Sequence, residues 1–75
     1  MSQYEKLILK LRITRGDVRY LDIESLLNHL GYVNVRQRGS HAHFRKEDSP
    51  NINFPIHRGK VKVVYIHEIY KILSL

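Results

Sequence analysis

The sequence predicts an α+β fold in which helices cover one face of a three-stranded antiparallel sheet. Apolar residues have helical spacing up to Gly31, alternate with polar residues through residues 33–56, and return to helical spacing towards residue 73. Turn-forming residues separate the alternating stretches. A chain of 75 residues has room for one core, so we expect residues 1–75 to form a single domain.

Three segments have the spacing of amphipathic helices. In the first, apolar residues recur between Tyr4 and Leu11 at intervals of three and four. The second runs from about residue 21 to 30, with acidic residues near its start that complement the helix dipole and Gly31 placed to end it. The third runs from about residue 63 to 73. Each helix has an apolar stripe that needs a partner surface.

Three short strands are predicted between the second and third helices. Apolar and polar residues alternate around residues 33–36, 41–45 and 52–56, with turns at 38–40 and 48–51. We expect the apolar side chains to face the helices, namely Val33, Val35, Ala42, Phe44, Ile52, Phe54 and Ile56. The other face of the sheet is then left open and carries the polar side chains of Asn34, Arg36, His41, His43, Arg45 and Asn53.

The composition excludes several classes of protein. There is no cysteine, which excludes disulfides, thiolate zinc sites and thiol redox chemistry. The longest apolar run, residues 63–66, is far shorter than the ~18 residues of a membrane span, and the N-terminus lacks the apolar segment of a signal peptide. We therefore expect a soluble, cytoplasmic protein.

Positive charge is concentrated in one part of the chain. The sequence has 13 basic and 7 acidic residues, a formal net charge of +6, and residues 36–62 alone contain seven of the basic residues and only two acidic ones. This distribution predicts an electropositive surface, which suits the phosphate backbone of a nucleic acid or an acidic protein partner.

Two histidines in the segment RGSHAHFR, His41 and His43, are the main candidates for chemistry. A strand histidine is most often half-exposed with a satisfied hydrogen bond, and either one alone fits that description. Together they share the open face, ~7 Å apart, with arginines as neighbours. Nearby cations favour the neutral imidazole, which can accept a proton, and an arriving phosphodiester reverses that effect. This is the behaviour of a general acid or base in RNA cleavage.

A zinc site is the main alternative for the His-x-His pair, with His57 and His67 as further ligands. The absence of cysteine, the lack of a carboxylate at ligand spacing and the surrounding arginines all disfavour it. A serine nucleophile at Ser40 is also disfavoured, because neighbouring strand residues point to opposite faces.

Other residues in these segments have structural interpretations. Gly39 supplies either a positive φ or a close approach of backbone to substrate. Ser40 caps the turn or binds a phosphate through its hydroxyl. His57 precedes the last helix and is expected to bond to the backbone, and Tyr32 is expected in the core.

Two longer segments carry the motifs of a known family. LLNHLGYVNVRQRGSHAHFR contains a helix, a glycine, a strand and then Arg-Gly-Ser-His, and INFPIHRGKVK contains a strand that ends in Pro-x-His before a Gly/Lys loop. In this order they resemble the HicA toxins of bacterial and archaeal toxin–antitoxin pairs. The resemblance covers most of residues 18–73.

The resemblance implies a double-stranded-RNA-binding-like fold and a metal-independent ribonuclease that acts on mRNA and is neutralised by a HicB-type antitoxin. The catalytic histidine of the family falls on His41. The family often has a second histidine at the next position, where this chain has Ala42. His43 stands where an apolar residue is more usual in the family, so it inherits no role. The segment before residue 18 is an extra helix relative to the shortest members.

These observations lead to the hypothesis of a small RNA endonuclease that needs no metal or cofactor, with His41 as general base or acid. The predicted RNA-binding residues around it are Arg36, Arg38, Gly39, Ser40, Arg45 and Lys46. The expected partners are mRNA and a HicB-type antitoxin, and the sequence leaves a homo-oligomer open. A non-catalytic RNA-binding module and a protein-interaction domain are alternatives that would use the same face.

Overall fold

A computed structural model describes residues 3–75, without the side chains of residues 36–38. In chain order its elements are α1 (Gln3–Ile13), β1 (Val18–Arg19), α2 (Tyr20–His29), β2 (Val33–Arg38), β3 (His41–Arg45), β4 (Ile52–Pro55), β5 (Lys60–Val61) and α3 (Val63–Leu73). Strands β2, β3 and β4 form an antiparallel sheet in that order, which confirms the predicted α+β fold. Within residues 3–75, no helix is both long enough and apolar enough to cross a membrane.

The end of α2 determines where the sheet begins. Gly31 has a φ of +94°, in the region that glycine adopts without strain. The amide of Gly31 donates to the carbonyl of Asn28 at 3.1 Å, and the amide of Tyr32 donates to the carbonyl of Leu27 at 2.9 Å. These are the two hydrogen bonds of a Schellman motif. The predicted stop at Gly31 is confirmed, and the chain turns directly into β2.

The core lies between the helices and one face of the three-stranded sheet. Strands β3 and β4 contribute Ala42, Phe44, Ile52 and Phe54, each at most 1% exposed. The rings of Phe44 and Phe54 stack with their centroids 5.8 Å apart. The helices supply most of the other buried residues, namely Leu11, Ile23, Leu26, Leu27, Ile66, Ile69 and Tyr70. The predicted inward face of β3 and β4 and the buried position of Tyr32 are both confirmed.

The first strand of this sheet departs from the prediction. Val33 and Val35 are 57% and 52% exposed, so the expectation that both pack against the helices is wrong. Asn34, expected on the open face, instead donates from its side-chain amide to the Tyr20 hydroxyl of α2 at 3.0 Å. The beginning of β2 therefore has the opposite orientation to the one that its alternation predicts.

A β-bulge in β2 accompanies this reversal. Asn34 pairs with Phe44, which faces the core, whereas Arg36 pairs with His43, and the register shifts between these two pairs. An extra residue in one strand changes the face on which the following residues lie. Beyond the bulge, the backbone of β2 is in register with the histidines of β3.

The segment before α2 is part of the same core. Leu11 of α1 is 1% exposed and Val18 of β1 is 5% exposed. Val18 pairs with Val61 of β5, and the Tyr70 hydroxyl of α3 donates to the carbonyl of Ile8 at 2.8 Å. The extra N-terminal helix therefore completes the apolar cluster, together with a two-stranded pairing that no sequence pattern predicts.

Candidate functional site

His41 is the first residue of β3, and its side chain is exposed. Its Cα partners are Arg38 of β2 on one side and Pro55 of β4 on the other. The next residue, Ala42, is fully buried, so alternation puts His41 on the face that the helices leave open. A large substrate can therefore reach the imidazole.

The turn before His41 fixes the start of β3. Arg38 and His41 pair across it, which leaves Gly39 and Ser40 as a two-residue hairpin loop. Gly39 has a φ of +55°, and a Cβ added there would meet nothing within 4 Å. Gly39 thus has the predicted positive φ, and its backbone is accessible. The carbonyl of Ser40 accepts a hydrogen bond from the amide of Ile56, which ties the turn to the end of β4.

His43 lies two residues further along β3, near the centre of the open face. It is half-buried, and its Nδ1 lies 2.8 Å from the Oδ1 of Asn53 on β4. An amide oxygen only accepts hydrogen bonds, so Nδ1 is the donor in this pair. His43 therefore fits the ordinary interpretation of a strand histidine with a satisfied hydrogen bond, which distinguishes it from His41.

Two of the predicted phosphate-binding residues, Arg45 and Lys46, lie at the other end of β3. Both are exposed, but Arg45 is four positions along the strand from His41, a distance of ~13 Å. The Lys46 ammonium lies 5.9 Å from the centroid of the Tyr32 ring, within the range of a cation–π contact. We call Val33, Arg45 and Lys46 the far end of the sheet, and Gly39, Ser40, His41 and Pro55 the turn end.

The other two predicted phosphate-binding arginines are strand partners of the histidines. The Cα register pairs Arg36 with His43 and Arg38 with His41. Their side chains lie outside the described part of the structure. Their contacts with phosphates therefore stay a prediction.

A cavity of about 270 Å³ opens beside the turn end. On one side it is lined by Ser40, the chain neighbour of His41, and by Pro55, its strand partner. The rest of the lining comes from the β4–β5 connection, β5 and the start of α3, namely Ile56, His57, Lys60, Lys62 and Tyr65. The cavity thus adjoins the residue to which the sequence assigns the chemistry.

A tight turn brings Lys60 back beside His57 at this cavity. The amide of each residue donates to the carbonyl of the other, at 2.7 and 2.9 Å, and φ is 53° at Arg58 and 75° at Gly59. Positive φ at both central positions is typical of a type I′ turn. The backbone bonds of His57 are made by its amide and carbonyl, while its side chain is exposed. The sequence shows this loop only as a basic segment, because its approach to Ser40 depends on tertiary structure.

The described residues do not provide a set of ligands for the zinc site considered as an alternative. Within residues 3–75, no group of three or more histidine, aspartate or glutamate side chains is arranged to hold a metal ion. The pair His41 and His43 therefore lacks a third ligand among those residues.

Fold and site together define a small α+β protein in which helices cover one face of the sheet. The uncovered face and its edge carry an exposed histidine and several cations. The family model described as HicA toxin of bacterial toxin-antitoxin matches residues 21–75, which is more than half of the chain. The chain therefore belongs to the HicA toxin family. It is the toxin of a toxin–antitoxin pair, and its family implies an antitoxin partner. No curated protein and no solved structure gives a significant match.

Proposed function

We propose that this toxin is a metal-independent endoribonuclease that cleaves mRNA, with His41 as its general base or acid. The proposal rests on the exposure of His41 at the turn end, beside a cavity lined by two lysines. A basic surface attracts RNA phosphates, and an accessible imidazole can exchange a proton with a bound strand near neutral pH. Cleavage of messages would stop protein synthesis, as expected of a toxin.

The proposed reaction needs proton transfer at the ribose and charge stabilisation at the phosphate. His41 removes the proton of a 2′-hydroxyl, the 2′-oxygen bonds to phosphorus, and the bond from phosphorus to the 5′-oxygen breaks. The products are a 2′,3′-cyclic phosphate and a 5′-hydroxyl. The 5′-oxygen takes its proton from solvent, and His41 later releases to solvent the proton that it removed from the 2′-hydroxyl. A positioned base of this kind contributes about 10²- to 10⁴-fold to the rate.

The cations of the open face would hold the strand at several phosphates. Arg38 is the strand partner of His41 and is the candidate for the scissile phosphate, together with Ser40. Arg45 is ~13 Å away along β3 and would bind a neighbouring phosphate. Phosphate contacts position a strand without reading its sequence. We therefore expect weak sequence preference.

We further propose that the antitoxin is of the HicB type and that it neutralises the toxin by covering the turn end in the cytoplasm. His41 is exposed and could be occluded directly. The proposed reaction uses residues of one chain, so it does not depend on a homo-oligomer. An antitoxin that acts on this face would compete with RNA for the toxin, which a binding competition can measure.

The proposal is tested by incubating the purified toxin with an end-labelled single-stranded RNA, with and without EDTA, beside His41→Ala. Because His41 is exposed, the variant should fold, and circular dichroism checks this. We expect wild-type cleavage in both conditions, and no cleavage with retained RNA binding in the variant.

Three other results would contradict parts of the proposal. Wild-type rates from His41→Ala would remove His41 from the mechanism. Cleavage that stops with EDTA would replace the metal-independent mechanism. RNA binding without cleavage by the wild type would leave a non-catalytic RNA-binding module.

A further inference from the structure

The cavity beside the turn end has the size and position of a ligand site. Its volume of about 270 Å³ is close to the lower limit of the ~300–1,000 Å³ typical of small-molecule sites, which suits one small unit. Ser40 on its rim is the residue before His41, and Pro55 is the strand partner of His41. A polymer bound at His41 therefore has its adjacent unit at the mouth of the cavity.

The cavity is strongly cationic. Lys60 and Lys62 are exposed and line it together with His57, and none of the described residues that line it is a carboxylate. The ion pairs found within the described residues both involve Asp22 and neither of these lysines. Both ammonium groups are therefore available to an anion.

A second cavity, of about 340 Å³ between α1 and α2, has a different lining. Its lining includes Asp22, and none of the described residues that line it is a lysine or arginine. Part of its wall is the Tyr4 ring, which stacks on His29 with the centroids 3.8 Å apart. The cationic lining of the cavity beside the turn end is therefore not shared by this second cavity.

Apart from Ser40, the rest of the cavity beside the turn end is apolar or aromatic. Pro55 and Ile56 are half-buried, and so is Tyr65 near the start of α3, which leaves part of this residue accessible to solvent. Nucleobases stack on exposed aromatic rings largely regardless of sequence. Two ammonium groups beside a partly exposed tyrosine suit the two parts of a nucleotide, because ammonium groups bind the phosphate and an aromatic ring contacts the base.

We propose that this cavity is a subsite for the RNA nucleotide next to the scissile phosphate. Lys60 and Lys62 bind the phosphate of that nucleotide, and Tyr65 contacts its base. This role rests on the proposed endoribonuclease function, because it takes the scissile phosphate to lie at His41. A nucleotide held in the cavity fixes the strand, so the cavity determines which phosphate reaches the imidazole.

The first test compares two double variants with equal loss of charge. Lys60→Gln/Lys62→Gln removes both ammonium groups from the cavity, and Lys6→Gln/Lys71→Gln removes two exposed lysines that do not line it. Binding of a 2′-O-methyl RNA hexamer, which lacks the 2′-hydroxyl needed for cleavage, is measured by fluorescence anisotropy over a salt series. The slope of log Kd against log salt concentration should fall by about 0.7 in the cavity variant, the value for one lost phosphate contact on a single strand, and should stay at the wild-type value in the control.

The second test concerns the aromatic ring. Tyr65→Leu should weaken hexamer binding about 10-fold, as expected for the loss of one stacked base, whereas Tyr65→Phe keeps the ring and the wild-type affinity. Thermal unfolding checks whether the leucine variant retains its fold. Independently of any variant, the amide NMR signals of residues 60–65 in the wild type should shift when the hexamer is added.

The outcomes separate this subsite from the proposed function. In one outcome the wild type cleaves RNA, His41→Ala does not, and Lys60→Gln/Lys62→Gln has the same salt slope and KM as the control double variant. The subsite proposal would then be wrong, and the proposed ribonuclease function would stand. If the signals of residues 60–65 shift and the slope falls as expected, but the wild type leaves RNA intact, the nucleotide site stands and the ribonuclease is wrong. Unchanged signals at residues 60–65 would also overturn the subsite.

Discussion

Both ends of the three-stranded sheet have cations at or beside them, but the surroundings of these cations differ. At the far end, the Lys46 ammonium lies over the Tyr32 ring, and its stem comes within 3.3 Å of the position that a Cβ on Gly31 would occupy. At the turn end, His41 is exposed, and Lys60 and Lys62 line a cavity.

This difference shows that charge alone does not define a binding site. A lysine that lies along the surface of its own fold covers apolar and aromatic groups with its stem. Within the described residues, the cation–π contact involves Lys46 and neither Lys60 nor Lys62. The part of the basic surface that is best suited to a ligand is therefore the turn end.

The largest expected effect is the loss of RNA cleavage in His41→Ala, with His43→Ala as the matched comparison. His41→Ala should lower the single-turnover rate of RNA cleavage by about 10²- to 10⁴-fold, the contribution of a general base. His43→Ala should stay within about 10-fold of the wild type, because His43 already bonds to Asn53 and is not assigned a proton transfer. Equal losses in the two variants would mean that the histidines act as a unit and that the distinction between them is wrong.

The second effect concerns the glycine that shapes the turn end. Gly39 has a φ of +55°, so Gly39→Ala should lower the free energy of unfolding by about 1–2 kcal/mol. It should also slow RNA cleavage, because the turn positions His41. Urea denaturation and cleavage rates measure the two effects.

Gly16→Ala is the matched control for this change. Gly16 does not have a positive φ, and a Cβ there would also meet nothing within 4 Å. This variant should leave stability unchanged or raise it by up to about 1 kcal/mol, because alanine restricts the unfolded chain. A Gly39→Ala variant as stable as Gly16→Ala would show that the turn end tolerates another backbone conformation.

The third effect concerns the hydrogen bonds that hold the start of β2 against α2. The Tyr20 hydroxyl donates to Glu24 at 2.8 Å and accepts from Asn34 at 3.0 Å. Tyr20→Phe should lower the free energy of unfolding by about 1 kcal/mol at pH 7. RNA cleavage should change little, since the replaced hydroxyl lies on the helix side of the sheet.

The same residue gives a pH dependence with a defined sign. Burial raises the pKa of Tyr20 above its ordinary value of 10.0, and the hydrogen bond to Glu24 raises it further. Above pH 10 the unfolded chain loses this proton before the folded one does, so the free energy of unfolding falls as pH rises. Urea titrations between pH 8 and 11 should show a smaller fall in Tyr20→Phe than in the wild type. Equal falls would remove Tyr20 as a cause.

The smallest expected effect lies in the β4–β5 turn beside the cavity. Arg58 has a φ of 53°, which asparagine adopts more readily than arginine. Arg58→Asn should therefore raise the free energy of unfolding by about 0.5–1 kcal/mol. Arg15→Asn makes the same charge change at an exposed loop residue without a positive φ, and should give no such gain in thermal unfolding. Similar stability of the two variants would show that Arg58 is not strained.

The elements that the sequence predicts are those with a regular local pattern. Helical spacing and a glycine stop placed α2 within one residue of its observed ends, and alternation identified the buried faces of β3 and β4. The exposed position of His41 follows from the same alternation, because Ala42 and Phe44 are both apolar and both buried.

The features that the sequence does not predict depend on contacts between distant segments. Val33 and Val35 alternate with polar residues as in a regular strand, so the bulge between Asn34 and Arg36 leaves no local signal and appears only in the register with β3. Strands β1 and β5 have two residues each, too few for a period. The cavity is lined by Ser40, Lys60 and Tyr65, which come from three separate segments of the chain. Their proximity depends on tertiary structure, including the pairing of β5 with β1 and the position of the start of α3.

The hydrogen bond from Tyr70 to the carbonyl of Ile8 joins residues 62 positions apart. It links α1, which precedes the segment matched by the family, to α3, whose first turn supplies Tyr65. Backbone amides in both helices should therefore exchange with deuterium at similar rates, as one cooperative unit. Proteolytic removal of α1 would then loosen α3 as well, and with it one wall of the cavity.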